Sequence, residues 1–426
     1  MAVTFYSAVV FFSPGTLRWT GGMNSDWNTV ANWTVVSGTP SIPPNKYSTG
    51  DHVIIDGTAP NFPEITVAAE TRSLTVDANA RITVKAGGSL EVIGSDVDGV
   101  TNSGLIIVES MASMTIDSAF DDGLIYLAGA KVINGGTFTI ENGFGSRIEN
   151  ADSIVNTGNF NVNRGVDTAV INFNTGVIKN TGFFFINGGN SSQLANYGRV
   201  LNESNTFTVA GGTAGILILN RAGSLIQNAG TFSVQSGFDR RIDNAGTIVN
   251  SFEFYINGAV TGEGLVNHAN GLITNSAGDF YISSGTATRL DNYGTVTNSA
   301  TFTIQGASAG NSLINRAGAV VDNLAGTMDL SGGGAPELDN SGTVNNYSTF
   351  TINGGGGPGI CLLNNSSGIF NHFSGLWTAS SGNGVRVDNS GLITLHGDAT
   401  FTSGPGNSLN NNLTGIIEHY GGRLTN

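Results

Sequence analysis

Three histidines near the C-terminal end have the spacing of a site. His372, His396 and His419 stand 24 and 23 residues apart, with Asp398 and Glu418 nearby. If that period is one turn of a repeat, the imidazoles stack, and such a row can share a metal ion or respond to pH. Plain stacking of like side chains on neighbouring turns is the simpler outcome of the same spacing. A second set is acidic. Asn220, Asp243, Asn267, Asp291, Asn315, Asp339, Asn364 and Asp388 form an alternating column. A row of carboxylates is raw material for calcium, but each interposed amide doubles the separation of like charges and can donate a hydrogen bond to them. Arg241, Arg289 and Arg386 lie two residues before their Asp, so they are expected to share its face and neutralise it. Asn244, Asn292, Asn340 and Asn389 follow the column and fit an amide ladder at a corner. Third are Thr-x-Thr pairs such as Thr206/Thr208, Thr301/Thr303 and Thr349/Thr351. An unbroken array of these would match a water lattice, yet Phe183/Phe185, Glu253/Tyr255 and Asp279/Tyr281 interrupt it.

Catalysis asks for more than this. Glycan cleavage needs two or three acidic groups on one cleft, or a calcium beside a basic residue. Here the acids recur at two-turn intervals, the only lysines are Lys46, Lys85, Lys131 and Lys179, and no turn carries a long inserted loop. The expectation is a chain that is not an enzyme and needs no cofactor. The formal charge of −14 argues against nucleic acid as a partner, because that affinity rests on basic residues displacing counterions. The one cysteine, Cys361, permits no internal disulfide and reads as a small buried apolar side chain. No apolar run is long enough to span a bilayer. The opening MAVTFYSAVVFFSPG is apolar but lacks the basic n-region and cleavage site of a secretory signal.

What positions these residues is a repeat. Aligned on the second residue of TFTI-like segments, one column reads Leu90, Met114, Phe138, Phe160, Phe184, Phe207, Phe232, Phe254, Phe280, Phe302, Met328, Phe350, Trp377 and Phe401. The steps run from 22 to 27 residues and centre on 24, and 232 to 280, 254 to 302 and 302 to 350 are each 48, so the unit is a pair of unlike turns. Thr-Phe-Thr-Ile alternates with period two, which sends Phe and Ile to one face and both Thr to the other. Gly, Asn and Ser fill the corners. Six of the 9 prolines fall before residue 64, so the repeats are nearly free of the residue that breaks a strand ladder. In residues 289–306, RLDNYGTVTNSATFTIQG, the pattern points Leu290, Val296, Phe302 and Ile304 inward and puts Asn292 and Asn298 at corners. The fold class is therefore all-β: a parallel β-helix, or solenoid, of about 24 residues per turn over 64–426, preceded by an N-terminal strand and Trp-rich cap region over 1–63.

These residues resemble the right-handed parallel β-helices of secreted bacterial surface proteins and adhesins of the haemagglutinin-like passenger type. WTGGMNSDWNTVANW (Trp19 to Trp33), then IPP (Ile42 to Pro44) and DHVIID (Asp51 to Asp56), is similar to a pattern at the start of β-helical surface proteins from gliding, type IX-secreting bacteria. The resemblance implies an exported, extracellular or cell-surface protein with an adhesive or structural role and surface glycans among its partners. A carbohydrate-active β-helix, a polysaccharide lyase or hydrolase or a phage tail-spike, is the alternative.

The ends suggest how such a chain meets its own kind. Open strand edges invite pairing by another chain. Residues 2–12, AVTFYSAVVFF, are apolar on both faces and read as a fully buried strand. The segment either folds back as the subunit's own cap or is donated to a neighbouring copy; donation gives a head-to-tail homopolymer, and a heterologous contact that does not close makes a filament. The subunit-contact candidates are Val3, Phe5, Val9 and Phe11 on the donated strand and Leu424 on the last turn.

Overall fold

The computed structural model describes residues 15–425 apart from 45–49, 95–97, 120–122, 127, 144–147, 164–167, 189–191, 212–214, 236–239, 259–261, 286, 308, 333–335, 355–358, 381–384 and 403–407. The chain is a parallel β-solenoid of about 13 turns with about 24 residues per turn. Its contacts divide it into two compact units, 1–148 and 149–426. In both, each turn contributes one short strand to each of three parallel sheets. A turn of the second unit reads Leu290–Asn292 in the first sheet, Thr295–Asn298 in the second and Thr301–Ala307 in the third.

Alternation decides which side chains fill the second unit. Leu290, Val296, Phe302 and Ile304 are all fully buried, as the sequence pattern requires. Register is residue for residue: Phe254 pairs with Phe280, and Phe280 with Phe302. The rings from Phe160 to Phe302 stack with centroids 4.7 to 5.0 Å apart and planes within 7° of parallel. Each such pair is worth about 0.5–1.5 kcal/mol beyond the apolar area it buries. The column does not end as the TFT pattern at 400–402 suggests. Trp377 pairs with Ala399, and Ala379 with Phe401. A tryptophan needs more room than the phenylalanine it replaces. The next turn therefore sets a methyl over Trp377 and its large ring over Ala379, and Phe401 meets the indole edge-on at 4.8 Å.

Polar side chains are buried just as regularly. Asn150, Asn172, Asn196, Asn220, Asn244, Asn267, Asn292, Asn315, Asn340, Asn364 and Asn389 close the first-sheet strands, and all have zero exposure. In each, Nδ2 donates to Oδ1 of the asparagine one turn on, at 2.7 to 2.9 Å, in an unbroken relay to Asn411. The second amide hydrogen reaches backbone carbonyls at the corner, as from Asn267 to Gly271 and Thr295. A second relay closes the second-sheet strands from Asn156 to Asn346. This corrects the alternating acid/amide column. Asn220 pairs with Asn244 and not with Asp243, and Asn267 pairs with Asn292. A carboxylate inside the relay would have no hydrogen to pass on, so the aspartates are displaced by one residue to the outward face. Corners leave no space for side chains: a Cβ on Gly294 would lie 2.3 Å from the Gly271 carbonyl oxygen.

The first unit is built differently at its start. Thr16–Trp19 pairs antiparallel with Trp33–Ser37 and parallel with His52–Ile55, which in turn pairs with Ser73–Val76. Trp19, Trp27 and Trp33 pack together with centroids 4.7 to 6.3 Å apart. Buried Asn32 ties the loop between them: its Oδ1 accepts from the Met23 and Asn24 amides and its Nδ2 donates to Asn24 Oδ1. Beyond this knot the three-sheet pattern begins, with Leu90, Met114 and Phe138 in register.

Asn292→Ala removes one relay member and strands a buried donor on Asn267 and a buried acceptor on Asn315, each costing about 1–3 kcal/mol. The expected loss in a denaturant titration is about 2–4 kcal/mol, whereas exposed Asn174→Ala stays within about 0.5 kcal/mol.

Candidate functional site

The three histidines are not brought together. His372 ends a second-sheet strand in register with Asn346 before it and Leu395 after it, and Leu395 pairs with His419. His396 lies one residue beyond that column and faces outward. It stacks in a surface row of rings, Tyr347, Phe373, His396 and Tyr420, with centroids 4.5 to 6.0 Å apart and planes 10 to 16° from parallel. A leucine between His372 and His419 rules out a shared metal ion. Among the described residues no three His, Cys, Asp or Glu side chains converge. The reason is an offset in the last turns: equal spacing in sequence does not give equal positions within a turn.

His372 instead does the work of an asparagine. It is fully buried. Its Nδ1 accepts from Asn346 Nδ2 at 2.9 Å, and its Nε2 donates to the Asp398 carbonyl at 2.9 Å. Because Asn346 Oδ1 already accepts from Asn323, the nitrogen facing His372 is a donor, which fixes the neutral Nε2–H tautomer. The ring thus takes a hydrogen from one turn and passes one to the next. Burial pushes its pKa below 6.5, with hydrogen bonding to the Asp398 carbonyl opposing. The charge that bears on it is that of Asp398, whose carboxylate accepts from the Arg423 amide; Trp377 closes the site edge-on at 6.4 Å.

The aspartates form a row on the outward face of the first sheet. There Leu219, Asp243, Val266, Asp291, Ile314, Asp339, Leu363 and Asp388 are successive neighbours in register. The spacers between acids are therefore aliphatic residues and not amides. Each acid is also bonded diagonally by the residue that follows the relay asparagine on the next turn. His268 Nε2 meets Asp243. Arg316 grips Asp291 with two bonds of 2.7 and 2.9 Å. Asn365 donates to Asp339 at 2.6 Å, and Asn412 to Asp388 at 2.7 Å. This pairing is the physical content of the two-turn repeat. The donors His268, Arg316, Asn365 and Asn412 recur at 48, 49 and 47 residues, in step with the acids. That signal was present in the sequence, hidden because the donors differ in type.

Arg241, Arg289 and Arg386 do not sit beside these acids. All three are fully buried just before the first-sheet strands, in the same column as buried Cys361. Burial brings Arg241 down to about 10, with Arg289 adding like charge, and brings Arg289 down to about 10. Their place on the surface is taken by Arg240, 3.5 Å from Asp243 and 3.2 Å from Glu263, and by Arg316, held above its ordinary value by Asp291. Together Arg240, Glu263, Val266, His268, Ala269, Asp291, Tyr293 and Arg316 line an open hollow of about 530 Å³. The Arg316 guanidinium lies 5.3 Å from the Tyr293 ring centre. Two cations, two carboxylates and an imidazole on Asp243 leave this hollow close to neutral. It offers many hydrogen-bonding groups, one aromatic ring and an apolar floor at Val266.

The third sheet shows another pair. Glu253 is directly opposite Asp279, and Tyr255 opposite Tyr281. The backbones of neighbouring strands lie about 4.8 Å apart, and Glu253 accepts from Thr231 Oγ1 at 3.0 Å, on the turn away from Asp279. Of the subunit-contact candidates, Val3, Phe5, Val9 and Phe11 lie outside the described residues. Leu424 is in the last strand, Leu424–Thr425, in register with Ala399 and 43% exposed. No described helix is long and apolar enough to cross a membrane.

No family model matches this chain, and no curated protein does. Among solved structures it is similar to the crystal structure of a TibC-catalyzed hyper-glycosylated TibA fragment, residues 55–350, at 13% identity and a TM-score of 0.21, covering 90% of this chain and 97% of that one. A superposition this loose carries no weight for what this chain does.

The folded value of His372 lies below the unfolded one, so the folded chain binds fewer protons. Stability is complete above pH about 6.5 and declines as pH falls from there toward the folded value. A thermal midpoint followed from pH 8 to pH 5 therefore drops on the acid side. His372→Asn, which puts an amide back into the relay, is expected to shrink that drop while leaving the midpoint at pH 8 nearly unchanged.

Proposed function

We propose that the chain is an extracellular, cell-surface β-helix with a structural and adhesive role and no catalysis of its own, and that copies of it assemble head-to-tail into a filament. The observation that carries this reading is how the side chains are used. The interior is committed to two amide relays and a ring stack, which hold register and stiffness. The outward face of the first sheet displays bonded polar groups in a fixed pattern, as a contact surface requires. A formal charge of −14 keeps such a surface soluble.

Head-to-tail assembly is supported by the sequence of residues 2–12, apolar on both faces, which pairing with the strand edge of a second copy would bury with backbone hydrogen bonds and apolar anchors.

Sedimentation and negative-stain microscopy of the purified chain test this. Long unbranched fibres are expected, lost on deleting residues 2–12 and in an Ile416→Asp/Leu424→Asp variant. Monomers at every concentration would refute assembly, and fibres that survive the deletion would refute strand donation. The carbohydrate-active alternative would rest on Glu253 and Asp279, acids directly opposite one another in register, since retaining glycosidases use a pair of neighbouring carboxyl groups. Release of reducing ends from a polysaccharide, abolished by Glu253→Gln, would establish that reading instead.

A further inference from the structure

We propose that the outward face of the first sheet in residues 240–412 is a template for an extended, uncharged polysaccharide chain, with the hollow at Tyr293 as its deepest subsite. The proposal rests on the adhesive reading and names what the surface adheres to.

Period is the first argument. The bonded pairs Asp243/His268, Asp291/Arg316, Asp339/Asn365 and Asp388/Asn412 recur every second turn. Two turns rise about 9.6 Å. A ribbon-like 1,4-linked hexose chain turns each ring over relative to the last, so its pattern of hydroxyl edges and C–H faces also repeats every two rings, over a comparable length. The protein face alternates in the same way, with Val266, Ile314 and Leu363 between the acids. Such a polymer meets bonded polar groups and aliphatic groups in the order in which it presents hydroxyls and C–H faces.

Charge is the second argument. Every aspartate of the row is already bonded to a donor, and the hollow sets Arg240 and Arg316 against Glu263 and Asp291. Arg240 and Arg316 are thereby taken up by their carboxylates, while Asp339 and Asp388 are bonded only by amides and keep their charge, so a polyanion finds no free cation and is repelled by the formal charge of −14. A peptide strand is disfavoured as well, because the backbone groups of these strands are paired with the turns on either side.

Form is the third. The hollow of about 530 Å³ falls within the range of small-molecule sites, about 300–1,000 Å³. Tyr293 is 42% exposed and gives a ring for C–H stacking. The two-bond grip of Arg316 on Asp291 fixes both groups before any ligand arrives, so little side-chain freedom is lost on binding.

Calorimetry of the full chain with cellobiose, cellotetraose, cellohexaose, chitohexaose and mannohexaose tests this, with a hexamer of galacturonate as the anionic control. At least one neutral hexamer is expected to bind, and cellohexaose, if it is that ligand, about tenfold or more tighter than cellobiose as further pairs are engaged. The galacturonate hexamer is expected to bind at least about tenfold more weakly than the neutral one. Tyr293→Ala should weaken the hexamer about tenfold or more, Tyr293→Phe should retain it, and Tyr347→Ala, equally exposed on another corner, should leave it unchanged. Unchanged circular dichroism guards against misfolding. Failure of all three neutral hexamers to bind overturns the proposal. So does equal binding of galacturonate, or Tyr293→Ala binding like the parent. Beads coated with the chain separate this from the wider reading: beads that hold to a cell surface while no hexamer binds refute the template alone.

Discussion

A primary amide both gives and takes a hydrogen bond along one line, and the fold depends on that property. Stacked at the strand spacing, an asparagine receives from the turn before and gives to the turn after, as between Asn267, Asn292 and Asn315. Eleven such bonds in a row point the same way, so each polarises the next. An aspartate in the row would have no hydrogen to pass on, and a leucine would end it. The relay therefore dictates residue type at one position per turn far more strictly than burial alone does. Everything else hangs from it: the close corner at Gly294, the one-residue displacement of the acids, and the position from which the next residue reaches back to bond them.

The ring stack shows the same rule in softer form. Apolar columns tolerate Met328 between Phe302 and Phe350 because volume matters there and directionality does not. At Trp377 the interior answers an oversized side chain with Ala399 above it and Phe401 beside it, so total volume is kept while order changes. The relay has less latitude. At the end of the second-sheet row stands His372, an imidazole that mimics the amide only while neutral, and the buried Leu395 that follows it in register ends the relay.

Much of this was legible in the sequence. Period-two alternation and the 24-residue step gave the parallel solenoid, and the inward placement of Leu290, Val296, Phe302 and Ile304 followed from them. What failed, failed by one residue. Aligning Asp243 with Asn220 put acids in an amide relay, when the neighbouring Asn244 was the true partner. Equal spacing of His372, His396 and His419 concealed a shift from an inward to an outward position. Arg241, Arg289 and Arg386 were assigned to the surface by parity with their aspartates, yet parity holds only within a strand and they precede one. The hollow at Tyr293 went unseen because its members come from four turns and share no motif. Only the diagonal step from donor to acid reveals them.

The central claim is that the buried amides are hydrogen-bonded to one another and hold the turns in register. Hydrogen exchange of the asparagine side-chain amides, read by NMR on labelled native protein, addresses it directly. The account predicts that the Nδ2 hydrogens of Asn172 through Asn389 exchange orders of magnitude more slowly than those of exposed Asn174, with comparable protection from turn to turn. Exchange at the rate of a free amide anywhere in that row, while the backbone of the same turn stays protected, would contradict it.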